Sequence, residues 1–140
     1  MDAVAQTRSK VQHYLTKNGR VEIDKDGDFT FQAGSTQVFI RVIDWGEGDT
    51  VVNVWAVVAG MVPVTPALFE FVATRSDEYM MGHLGCQVDE DGTAIVTFSH
   101  RMLGNVLDEE ELVHAALAVA STADRLDDEI AATFGGRTFH

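Results

Sequence analysis

Apolar residues recur every three or four positions near the start of the chain. Val4, Thr7, Val11, Tyr14 and Leu15 share one side, and Arg8, Lys10, Gln12 and Lys17 fall mostly between them. That period predicts an amphipathic helix from Asp2 to Asn18, with Asn18-Gly19 supplying a left-handed terminating residue. From Arg20 the period becomes two. Val21 and Ile23, then Asp24-Lys25-Asp26-Gly27, then Phe29 and Phe31 read as a hairpin. A turn at Ala33-Gly34-Ser35-Thr36 leads into a strand over Gln37–Ile43, and another at Trp45-Gly46-Glu47-Gly48-Asp49 leads into Val51–Ala59. Consecutive strands on such short connections pair antiparallel.

Thr65-Pro66 opens a second helix, with Thr65 as N-cap and Pro66 at the first helical position, where a missing N–H costs nothing. Leu68, Phe69, Phe71 and Val72 spread over roughly 160° of its circumference, too wide an apolar arc for docking on one side only. The segment Asp77–Met81 leads to a hairpin of His83–Val88 and Thr93–Met102, turned at Asp91-Gly92. The last helix starts at Asp108 with Glu111 as its capping partner. It carries Leu112, Ala116, Val119, Ala123, Leu126 and Ile130 along one stripe and stops at Gly135-Gly136. The order α-β-β-β-β-α-β-β-α predicts an α+β fold, a mostly antiparallel sheet with the terminal helices packed on one face.

The two central strands have unequal faces. One side carries Val38, Ile40, Val42, Val52, Val54, Ala56 and Val58, the core beneath the helices. The other carries Phe39, Arg41, Ile43 and Trp45 on one strand and Val51, Asn53, Trp55 and Val57 on the next. A solvent face of an antiparallel sheet is mainly polar, whereas mixed aromatic, aliphatic and Arg surfaces mark contact patches. Phe39, Arg41, Ile43, Trp45, Asn53, Trp55 and Val57 are therefore the expected partner-binding residues. The competing expectation is that loops or the middle helix cover this face within one protomer.

Composition narrows the partner. With 140 residues the chain suits one domain, taken over 1–140, and its 10 Lys+Arg against 22 Asp+Glu leave a net charge of −12. Such a surface repels nucleic acid and anionic membranes and speeds encounter with partners bearing Lys and Arg. Cys86 is the only cysteine, which excludes an internal disulfide. The longest apolar run, Val51–Val64, is broken by Asn53, Gly60 and Pro63, and the first residues lack the pattern of a signal peptide. A cytoplasmic location is expected.

Candidate chemistry is sparse. The acidic run Glu22–Gly27 superficially matches a calcium loop, but Ala33 stands where a bidentate Glu is required. His83-x-x-Cys86 has a ligand-like spacing, and His100 could lie across the hairpin from it. A small enzyme or a ligand- or metal-binding domain with a pocket near His83, Cys86 and His100 is the rival reading. Ser99 and His100 are adjacent in a strand, point to opposite faces, and cannot act as a dyad. No residue set specifies a cofactor, and none is expected.

In its order of elements and its acidic-capped, alanine-rich last helix, the chain resembles the YbjN and type III secretion chaperone-like superfamily over Val4 to Ile130. Met81-Gly82-His83-Leu84, Val88-Asp89-Glu90-Asp91-Gly92, Ile95-Val96-Thr97-Phe98 and Asp108-Glu109-Glu110-Glu111 are its most family-like stretches. Val21–Ile23 would be an extra short strand. The resemblance implies a non-enzymatic homodimer holding an extended client segment on apolar patches. The middle helix would then give the dimer contact, through Leu68, Phe69, Phe71 and Val72.

Overall fold

The computed structural model describes residues 2–138, so Met1, Phe139 and His140 of the expected 1–140 unit lie outside the described residues. Helix α1 (Ala3–Asn18) begins at Asp2, whose carboxylate accepts the Ala5 N–H at 2.7 Å, and buries Thr7, Val11 and Leu15. Its other end departs from the sequence expectation. Gly19 leaves the helix in an extended conformation (φ 158°, ψ −162°), and the Asn18 side-chain amide donates to the Tyr14 carbonyl at 2.8 Å. A side chain thus satisfies one of the last-turn carbonyls that a left-handed glycine would otherwise have served.

Six strands follow in one sheet: β1 (Glu22–Ile23), β2 (Phe29–Ala33), β3 (Thr36–Gly46), β4 (Asp49–Pro63), β5 (His83–Val88) and β6 (Thr93–Leu103). Their spatial order is β1-β2-β3-β4-β6-β5 and every pair is antiparallel. The two central strands run further than their alternation suggested. β3 continues through Gly46, and the β3–β4 connection shrinks to Glu47-Gly48, both at positive φ (55° and 82°). That mirror-image turn matches the twist of a two-residue hairpin. β4 continues to Pro63 because its register shifts between Val57 and Ala59 and again between Ala59 and Val62, with Met61 at φ 54°. These bulges keep Val58, Ala59 and Val62 all buried, although their spacing breaks the period of two.

Helix α2 (Pro66–Ser76) starts as its sequence indicates, with the Thr65 hydroxyl accepting the Leu68 N–H at 3.2 Å. It lies beside β5, where Ser76 Oγ accepts the Leu84 N–H at 2.7 Å. It also lies beside α3 (Glu109–Phe134), through Arg75–Glu129 at 2.7 Å and an edge-on Phe71–Phe134 contact at 5.2 Å. Asp108 caps α3 by accepting the Glu111 N–H at 2.8 Å. The predicted stripe Leu112, Ala116, Val119, Ala123, Leu126 and Ile130 is buried against the sheet throughout.

Leu68 is a correction. Its side chain is fully enclosed in the protomer core, so it cannot form part of a dimer contact. Neighbouring Phe69 points the other way and is 44% exposed, while Phe71 and Val72 are half-buried. Both terminal helices pack on the Val38–Val58 side, and α2 is tied to α3 and β5. Among the described residues no helix packs on the opposite face of the sheet.

Candidate functional site

Cross-strand register turns the open face into three parallel rows. The first is apolar: Ile43 faces Val51, and Val51 faces Leu103. The second is polar: Arg41 faces Asn53, and Asn53 faces Arg101. The third is aromatic: Phe39 faces Trp55, and Trp55 faces Ser99, which faces His83. Directly opposed residues on antiparallel strands share a face, so all three rows lie on the side away from the terminal helices, with Ser99 itself buried. Ile43 and Leu103 are 37% and 50% exposed, and Phe39, Asn53, Trp55 and Val57 are half-buried. Trp45 sits at the bulge ending β3, beyond the rows and 66% exposed.

Arg41 is held from two sides. Its Nε and Nη2 each donate to a different oxygen of the Asp28 carboxylate at 2.7 Å, and its guanidinium carbon lies 5.4 Å from the centre of the Trp55 ring. Trp55 in turn stacks on Phe39 at 5.4 Å with 19° between planes. Asp28 is buried while half of the Arg41 side chain remains exposed. The Asp28 hydrogen bond, reinforced by the fields of Asp28, Asp26 and Asp24 against a smaller opposing effect of burial, raises the Arg41 pKa above its ordinary value. A planar fork fixed on a carboxylate and an aromatic face loses little rotamer freedom when it meets a ligand. The Arg101 side chain is exposed and makes no hydrogen bond or ion pair among the described residues.

The amide oxygen of Asn53 is buried with no hydrogen-bond partner among the described residues. An orphaned acceptor in a central strand costs on the order of 1 kcal/mol, and valine suits that backbone better. Asn53→Val is therefore expected to raise stability by about 1 kcal/mol in a urea titration. A loss of stability would mean that the amide is satisfied.

His83, Cys86 and His100 do not form the pocket of the rival reading. His83 and Cys86 stand three apart on β5, so they point to opposite faces; His83 lies on the open side, Cys86 and His100 on the helix side. Burial pushes the Cys86 thiol above its ordinary pKa, away from the reactive thiolate. Burial first, then Arg101 and His100, lower that of His83. Among the described residues no group of three or more His, Cys, Asp or Glu could hold a metal ion.

Sequence reasoning missed four residues of the face: Asp28, Ser99, Arg101 and Leu103. Alternation within β6 already separated Arg101 and Leu103 from buried Met102, but their place beside Asn53 and Val51 depends on which strand β6 joins. A concavity of about 350 Å³ lies where the end of α1 meets β2 and α3, lined by Leu15, Val21, Phe31, Ala33 and Leu117. No helix among the described residues is long and apolar enough to cross a membrane.

Comparison with known proteins bears on both fold and role. A chain of the solved ExsC–ExsE complex superposes with a TM-score of 0.65 at 16% identity, covering 93% of this chain and 97% of that one. The Yersinia pestis type III secretion chaperone SycH, solved in complex with a stable fragment of YscM2, gives 0.57 at 14%, covering 86% and 98%. At these identities the likeness concerns the fold. No curated protein matches the chain. The family model described as "T3SS (YopN, CesT) and YbjN peptide-binding chaperone 1" matches residues 3–140, nearly the whole sequence, and the chain belongs to that family.

Proposed function

We propose that this chain is a non-enzymatic chaperone that holds an extended stretch of a client protein against the open sheet face. It acts in the cytoplasm as a homodimer joined through the outer side of α2. The observation that carries the reading is the helix-free face, on which Phe39, Ile43, Trp55 and Val57 keep accessible apolar surface. Covering such surface contributes roughly 25 cal/mol per Å² of apolar area. The family description and the solved SycH complex with a YscM2 fragment support a peptide as the occupant. Exposed Phe69, with fully exposed Met80 and the partly exposed Met81 close to the α2–β5 edge, supports the dimer contact.

The test is a displayed library of extended peptides selected on the purified full chain, then measured again on Trp55→Ala, Phe39→Asp and Ile43→Asp. Each substitution is expected to weaken binding at least about tenfold, equivalent to about 1.4 kcal/mol. Ile43 lies in the exposed row, so its variant keeps a native-like melt. Undiminished affinity in all three variants would move the site elsewhere, with the concavity beside α1 as the next place to look. Loss of binding only in step with loss of folding would make the face ordinary core.

A further inference from the structure

The three rows of the open face also specify what the client carries, an inference that rests on the reading above. Arg41 and Arg101 stand on the strands flanking β4, about 10 Å apart at the backbone, with Asn53 between them. Arg41 spends two of its five N–H groups on Asp28 and is held in place by that bond and by Trp55. Arg101 has no ion pair among the described residues. A chain with a net charge of −12 thus places an unpaired cation, and a second one with donors to spare, in the middle of its accessible apolar face. Asp28 is in direct contact with Arg41 and the fields of Asp26 and Asp24 also reach it, so Arg101 supplies the uncompensated positive charge here while Arg41 supplies positioned N–H donors.

Spacing adds the second constraint. Neighbouring rows are two residues apart along each strand, a separation of about 6.8 Å. Alternate side chains of an extended client, all pointing to one side, repeat at the same distance. A client running along β4 therefore places one side chain over Ile43, Val51 and Leu103, the next over Arg41 and Arg101, and the third over Phe39 and Trp55. We infer that the face selects an extended client segment of the pattern apolar-x-acidic-x-apolar, its Asp or Glu carboxylate held between Arg41 and Arg101. Long-range attraction of basic flanking residues is compatible with this, because it acts on encounter and not on the docked centre.

Peptides with Glu, Gln or Lys at the central position, plus one with the Glu moved by a single residue, would be titrated against the full chain. Trp55 fluorescence in a Trp45→Phe background reports occupancy. The Glu peptide is expected to bind at least tenfold more tightly than the Lys peptide and several-fold more tightly than the shifted one. In Arg101→Glu the order of Glu and Lys is expected to reverse. Arg101 is exposed and unpaired, so this variant is expected to fold normally, which a thermal melt verifies. Equal affinity for all four peptides with a retained Trp55 response would overturn the acidic-centre pattern while leaving the open-face reading intact. Tight binding without a Trp55 response, or no binding up to about 1 mM, would overturn both. Light scattering that shows two copies joined through this face, and separated by Leu103→Asp, would also overturn the inference by making a second chain the occupant.

Discussion

Leu68→Ala is expected to lower the unfolding free energy of the protomer by about 3 kcal/mol, whatever its state of association. Leu68 is fully buried in the first turn of α2, and its N–H is the one capped by Thr65. Removing three heavy atoms from a packed core forfeits their transfer energy and leaves a cavity that the sheet fills only in part. Phe69→Asp, one residue along, behaves oppositely. The residue is 44% exposed, so the folded protomer is expected to lose about 1 kcal/mol, well below the loss from Leu68→Ala. The proposed dimer should nonetheless come apart, because a carboxylate would enter an apolar contact. Urea unfolding at two protein concentrations, with light scattering, separates the outcomes. A Leu68→Ala protein that dissociates without loss of protomer stability would restore Leu68 to the interface. A Phe69→Asp protein that keeps its mass would remove α2 from it.

Arg41→Leu should cost about 2–3 kcal/mol, at or just below the low end of what breaking a fully buried ion pair costs. Asp28 is almost wholly enclosed and receives both its side-chain hydrogen bonds from Arg41. Without the guanidinium a desolvated carboxylate is left unpaired. The half-exposed position of Arg41 lets water reach the gap, which keeps the cost from rising further. Asp28→Asn combined with Arg41→Leu should recover about 1 kcal/mol or more of the loss, measured as a double-mutant cycle in chemical denaturation. Additive losses would show that the two side chains do not stabilise each other. Arg41→Leu also removes the cation from the Trp55 ring, so a change in tryptophan emission is expected with it.

Much of the architecture was legible because it is locally encoded. Thr65 and Asp108 read as helix starts since a capping side chain reaches N–H groups only two or three residues ahead. The alanine-rich stripe of α3 and the alternation of β3 read correctly because each repeats the period of its own backbone. Locality also explains the errors. Gly19 looked like a left-handed cap until Asn18 took the carbonyl, and β4 seemed to end where bulges in fact carry it onward. The separation of His83 from Cys86 was available from strand alternation alone, and only the ligand-like spacing obscured it.

From the chain itself came the helix starts, the strand periods, the net negative charge and the mixed character of one sheet face. Each depends on residues a few positions apart, or on a sum over all of them. Tertiary structure alone decided that Leu68 turns inward while Phe69 turns out, that Asp28 grips Arg41, and that Arg101 stands beside Asn53. Those outcomes follow from where α2 docks and which strands pair. Packing and backbone hydrogen bonds settle both between segments that lie far apart in sequence, where no local period can reach.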